Sequence, residues 1–372
     1  MRRRRVSLAA AALLAAVALA QRTGAAAGPR WCLPPLFEGG ERLHTLPVPT
    51  VFWLDPLLRQ HQLCHAARDR PDDPRAVLIG NSAVLGHPLP VEQTLSARLN
   101  ARLAERGVRG EVFNLGWVNC YELRDAVILS AALEYRPDLI IYPLTLSEFL
   151  HAAPTLWGPV AAFFDSNDTR VRELARTGVP GLDEPLQRYE EAYVRQGRMT
   201  GYLARLQDLG ALARSAAQAN ALRLARWADP QLPPTTLRTT PPQKRYDCSK
   251  ITAAAETEYQ DWQSWNILAY LQNLHDTAGI QVLVVTWPIA HEPVGECYNA
   301  RYSAAAVEEF NRWVRDECAA RGLGHIDLHD LLPPEQFFDS IHPTADGHRR
   351  IAERLEPAVE AALRAAAPAS LP

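Results

Sequence analysis

Two short segments of the chain carry a hydroxyl, a carboxylate and an imidazole in an order that can do chemistry. The first is Val77-Leu78-Ile79-Gly80-Asn81-Ser82, an apolar run entering a turn with a serine at its tip. The second is Phe338-Asp339-Ser340-Ile341-His342-Pro343-Thr344, followed by Gly347-His348. A serine hydroxyl is a weak nucleophile until a base takes its proton. A neutral imidazole is that base near pH 7, and a carboxylate fixes its tautomer and supports the imidazolium. Asp339 and His342 share one loop, so the carboxylate can curl onto Nδ1 and leave Nε2 for Ser82. The order Ser…Asp…His is that of α/β-hydrolases, but Val84 stands where the last glycine of a G-x-S-x-G elbow belongs.

Such residues meet only if the elements between them bring them together. Short apolar runs at 76–79, 112–113, 138–142, 280–286 and 325–328 read as buried strands. Helical patterns lie between and after them, at 92–106, 121–135, 303–321 and 345–366. Strand and helix in alternation predict a parallel sheet covered by helices on both faces. Loops leaving the carboxyl ends of its strands gather on one edge, where Ser82 and His342 would meet. The interval from Tyr142 to Ile280 is far longer than one strand–helix–strand unit of ~30 residues. The excess is expected as a mostly helical cap over residues 151–250 beside the site, with the apolar run Leu156 to Phe164 lining a pocket or packing on the domain.

On these blocks the chain resembles the SGNH (GDSL-type) hydrolase family. Gly80-Asn81-Ser82 is similar to its Gly-Asp-Ser, and Asp339 with His342 to its Asp-x-x-His. Asn114-Leu115-Gly116 stands at its second block, which places Asn119 at the usual oxyanion glycine. Thr145-Leu146-Ser147-Glu148-Phe149 stands at its third, with Ser147 in the place of the asparagine. The resemblance covers residues 76–150 and 280–366. It implies a flavodoxin-like three-layer α/β/α sandwich and a serine esterase or acyl-transferring mechanism; no cofactor is expected, and a metal-dependent hydrolase on the cluster His325, Asp327, His329, Asp330, Asp346 and His348 is the weaker reading, since no spacing there fits a known metal motif. Ser82 would be nucleophile, His342 base and Asp339 its orienting partner. The oxyanion hole would use the N–H of Ser82 and that of Asn119, or of Gly116 if the alignment shifts, with Ser147 a shortened side-chain donor.

Composition limits the alternatives. A hydrophobic share of 47% with 22% charged residues is that of a globular chain. Lys+Arg 39 against Asp+Glu 42 leaves no basic surplus for nucleic acid. Arg2 to Arg5 followed by uncharged Val6 to Ala20 reads as a signal peptide over 1–20, so export to periplasm or medium is expected. Membrane contact is expected only through an uncleaved leader. Residues 21–75 read as a Pro-rich, irregular N-terminal extension with one helical patch near Phe52 to Ala67. Residues 76–150 and 251–372 are the two parts of the hydrolase-like domain. Six cysteines in an exported chain predict at least one disulfide.

Blander readings are assigned to the remaining features. His87, His151 and His291 read as ordinary loop histidines, Trp262 and Trp265 as core, and Asn167-Asp168-Thr169 as a chance sequon. The expected substrate is an acyl ester, with an envelope polysaccharide as one carrier. The competing reading is a binding or scaffold protein with a decayed site.

Overall fold

The computed structural model describes residues 31–33, 41–43, 52–118, 122–146, 159–178, 182, 186, 205–212, 267–290, 304–339 and 341–367. Five strands, β1 (Arg75–Leu78), β2 (Glu111–Asn114), β3 (Leu139–Leu144), β4 (Gln281–Thr286) and β5 (Gly324–Asp327), form one sheet in the order β2-β1-β3-β4-β5. Every pairing is parallel, with Val77 facing Phe113 on one side and Ile140 on the other. The helices are α1 (Leu54–Gln60), α2 (Gln62–Asp69), α3 (Ser82–Leu85), α4 (Leu95–Glu105) and α5 (Glu122–Ala132) in the first half. They continue as α6 (Pro159–Ser166), α7 (Asp168–Thr177), α8 (Ile267–Ala278), α9 (Ala304–Ala320) and α10 (Ala345–Ala366).

Successive strand residues point to opposite faces, and both faces of this sheet are covered. Val77, Phe113, Ile140 and Tyr142 join one core with residues of α1, α2, α5, α8 and α9. Leu78, Val112, Leu139 and Ile141 join a second core with Leu95, Leu99 and Leu103 of α4 and Ile351, Leu355 and Val359 of α10. Double burial is why β1 and β3 read as unbroken apolar runs rather than alternating ones. The expected three-layer α/β/α sandwich is thus found. The order in which strands are added reverses at β1, which puts the topological switch point at the carboxyl ends of β1 and β3, the usual place for a ligand in such sheets.

The described parts of the 151–250 insertion are mostly helical, and their buried apolar residues join the first core. Phe163 meets the Trp117 ring edge-on at 5.3 Å, and Arg170 Nη2 bridges Asp55 at 2.5 Å and Glu134 at 2.7 Å. Phe163 and Phe164 therefore pack on the domain, the second of the two roles expected for their run. Asn167 is buried, accepting from the Leu54 N–H and donating to the carbonyls of Phe52 and Phe163, so its sequon is structural. Trp262 and Trp265 lie outside the described residues.

The N-terminal extension is less irregular than its prolines suggest. Cys32 is disulfide-bonded to Cys64 of α2, and Glu41, Arg42 and Leu43 are buried. Glu41 Oε1 accepts from the Ser96 hydroxyl at 2.5 Å and the Thr94 hydroxyl at 3.1 Å. No helix among the described residues is long and apolar enough to cross a membrane.

Candidate active site

Ser82 sits where β1 ends. Asn81 caps the turn that follows, its side-chain oxygen accepting the Ala83 N–H at 2.9 Å. A carbonyl oxygen does this as well as a carboxylate, so asparagine keeps the structural part of the family's aspartate role. Gly80 allows the sharp exit: a Cβ there would lie 2.7 Å from the Val84 side chain. Its carbonyl accepts the Trp117 N–H at 2.8 Å, tying the ends of β1 and β2 together.

The second loop closes on itself. Phe338 N–H donates to the His342 carbonyl at 2.8 Å and Thr344 N–H to the Gln336 carbonyl at 2.7 Å. Asp339 Oδ1 accepts the N–H groups of Ile341 and His342, each at 2.9 Å. The Trp287 indole N–H, just past β4, reaches the Ile341 carbonyl at 3.4 Å. Thr344 then caps α10, and Gly347 lets that helix approach the loop, since a Cβ would lie 2.8 Å from the Pro343 side chain.

These two loops meet. Ser82 Oγ lies 2.8 Å from His342 Nε2, and His342 Nδ1 lies 2.7 Å from Asp339 Oδ2 and 2.9 Å from Oδ1. Burial works against the Asp339 charge, but hydrogen bonding and charge from His342 and the two backbone N–H groups outweigh it, holding the carboxyl down at about 2. An ionised carboxylate only accepts, so the proton belongs on Nδ1 of a neutral imidazole. Nε2 then presents its lone pair to the Ser82 hydroxyl. This is a nucleophile, a base and an orienter in contact, the constellation of acyl transfer.

Of the other expected site residues, Asn119 and Ser147 lie outside the described residues. The Gly116 N–H donates to Asn114 Oδ1 at 3.0 Å, so that donor is already engaged, and a Cβ at this position would lie 2.5 Å from the Leu85 backbone nitrogen. Asn114 does the work of its block by supporting Gly116 and donating to the Val84 carbonyl at 3.3 Å. His325 bonds the Thr286 hydroxyl at 2.8 Å, and His329 bonds Asp327 at 2.7 Å.

His87 departs from its reading as an ordinary loop histidine. Its ring stands edge-on to that of His342, with centroids 5.6 Å apart. Nothing in the local sequence signals this, because the contact spans the two loops. His348 is fully buried, and among the described residues neither of its ring nitrogens has a hydrogen-bond partner. Burial first, then the charges of Arg42, His342 and Arg98, hold its pKa down at about 3.

A family model of GDSL-like lipases and acylhydrolases matches residues 78–350. No curated protein matches. Among solved structures, a carbohydrate acetylesterase family member from Sinorhizobium meliloti is 14% identical, with TM-score 0.37, over 78% of this chain and 99% of its own. TesA is 12% identical, with TM-score 0.35, over 77% and 99%. Est24, a carbohydrate acetylesterase from Sinorhizobium meliloti, is 13% identical, with TM-score 0.34, over 77% and 99%.

Proposed function

The chain belongs to the GDSL-like lipase/acylhydrolase family, and on that premise we propose that it is an exported serine enzyme whose Ser82, His342 and Asp339 cleave or transfer an acyl ester. The observation that carries the reading is the continuous hydrogen-bond path from Ser82 Oγ through the imidazole to Asp339.

The steps follow from that path. Ser82 Oγ attacks the ester carbonyl while His342 Nε2 takes its proton. The resulting imidazolium is stabilised by the Asp339 carboxylate, which stays ionised. Negative charge gathers on the former carbonyl oxygen, where the N–H of Ser82 donates, with Asn119 and Ser147 as the partners expected from the resemblance. Collapse expels the alcohol, which leaves with the proton from Nε2. The acyl group is now on Ser82. Water or a second hydroxyl then attacks, Nε2 again taking the proton; the acyl–Oγ bond breaks, the acyl group departs on the acceptor, and Ser82 Oγ takes the proton back from Nε2.

The nature of the acceptor decides between hydrolysis and transfer. A cavity of about 590 Å³ is lined among others by Glu308, Asp330, Pro333, Pro334 and Arg350, and by none of Ser82, Asp339 and His342. An acylated polysaccharide of the envelope is the carrier proposed, on the export leader and not on this cavity. The basic and apolar leader supports export.

A fluorophosphonate probe tests the reading. Wild type should label once, at Ser82, and hydrolyse simple acyl esters. Ser82→Ala should neither label nor turn over, and by itself should cost about as much as removal of the whole triad. An unlabelled wild type without esterase activity would overturn this reading in favour of the binding or scaffold one.

A further inference from the structure

The histidine at position 87 is placed by three separate constraints. Its backbone N–H donates to the Ser82 carbonyl at 3.0 Å. Two residues on, the Leu89 N–H donates to the Gly86 carbonyl at 2.7 Å. The Leu89 carbonyl in turn accepts from Nη2 of the buried Arg42 at 2.7 Å. Arg42 belongs to the N-terminal extension, outside the residues matched by the family model. The result is a tight loop whose one partly exposed aromatic ring stands against the catalytic imidazole, perpendicular to it within about ten degrees, at 5.6 Å.

We propose that His87 is a positioning residue for His342: its ring is the wall that keeps Nε2 aimed at the reacting atoms throughout the cycle. This rests on the acylesterase reading above. In the resting site the His342 ring is held at both nitrogens, by Asp339 and by Ser82. Nucleophilic attack removes the second of these, because Ser82 Oγ gives its proton to Nε2 and bonds the carbonyl carbon, so it no longer donates. The imidazole must still deliver its proton to the leaving alcohol and later take one from the acceptor. With Asp339 alone at Nδ1, the ring can swing about that single contact. A ring packed edge-to-face against it removes that freedom without competing for either nitrogen. The extension reaches the chemistry through this wall, by way of Arg42 and Leu89.

The test compares His87→Ala, His87→Gln and His87→Phe with wild type, with active sites counted by fluorophosphonate labelling and folding checked by circular dichroism. His87→Ala and His87→Gln should lower kcat by about 10- to 100-fold, the cost of a misplaced catalytic group, with KM within about twofold. His87→Phe keeps the ring and should recover kcat to within about threefold of wild type. Glutamine keeps most of the volume, so it carries the test if the alanine variant does not fold. Unchanged kcat in the glutamine or alanine variant overturns the proposal. So does a phenylalanine variant as slow as alanine, or an effect confined to KM. If wild type neither labels nor turns over, the acylesterase reading fails and the proposal falls with it. If wild type labels and the His87 variants match it, the proposal fails alone.

Discussion

Asp339 carries more of the site than its place at the end of the hydrogen-bond path suggests. One of its oxygens accepts two backbone N–H groups and the imidazole Nδ1–H, so the same carboxylate shapes the loop and sets the tautomer. Asp339→Asn separates the two functions. The amide oxygen can still accept from Ile341 and His342, so the loop should keep its shape. The amide nitrogen then faces Nδ1 and can only donate, which drives the ring proton to Nε2 and leaves no base for Ser82. The expected loss is about 10⁴ in kcat with little change in KM or melting temperature. Stopped assays on a chromogenic acetate ester would check it. A variant within tenfold of wild type would show that the carboxylate does not select the tautomer. Asp339 is held at about 2, below its ordinary 3.8. Its stabilising contribution is therefore complete above about pH 4 and lost only as pH falls toward 2. Acid loss of activity above that window does not come from this carboxylate.

At the scale of elements, the histidine in the first turn of α10 governs acid stability. His348 is buried against Trp287, with ring centroids 6.1 Å apart, and is held at about 3 against an ordinary 6.5. The folded chain excludes a proton that the unfolded chain accepts. Stability from this group is thus full above about pH 6.5 and drains as pH falls toward 3. His61, held at about 4 chiefly by burial, adds to the same window. His348→Leu forfeits no hydrogen bond seen among the described residues and removes the titration. Urea midpoints at pH 7 and pH 4 should differ less in this variant than in wild type, by a few kcal/mol in unfolding free energy. An equal pH dependence in both would assign acid unfolding elsewhere. The elements themselves were largely legible. All five strands and the helices α4, α5, α9 and α10 were visible because each follows a plain apolar period or run. α8 was absorbed into the long interval before β4, since no strand precedes it closely enough to mark its start. α3 spans a single turn, too short for any period to show. Ser82, Asp339 and His342 were readable as types in an order. His87 was not, because its role comes from a loop-to-loop contact that leaves no mark on its neighbours.

The whole molecule is the family domain held by an extension that the family model does not match. Prolines hid this in the sequence, since they obscure periodicity while leaving Glu41, Arg42 and Leu43 free to be buried as single plugs. Two kinds of bond hold the extension. Near the site, Arg42 grips Leu89 and Glu41 accepts from Ser96 and Thr94, in a pocket whose burial raises the Glu41 pKa above its ordinary value. Farther away, Cys32–Cys64 closes a loop with a sequence separation of 32 onto α2. A cross-link of that span removes unfolded-state entropy worth about 3–4 kcal/mol. Cys32→Ser with Cys64→Ser should therefore lower the melting temperature by roughly 6–16 °C. The buried thiol of Cys318, pushed up to about 12 chiefly by burial, should stay unreactive in the folded protein. Below the lowered transition, kcat at 25 °C should stay within about twofold of wild type, because Leu43 and Arg42 keep their own anchors and the catalytic loops sit on the sheet. Differential scanning calorimetry beside an ester assay separates the cases. An unchanged melting temperature would show that the cross-link does not brace the fold. A lost kcat at an unchanged melting temperature would show instead that the extension reaches the site through the disulfide and not through Arg42.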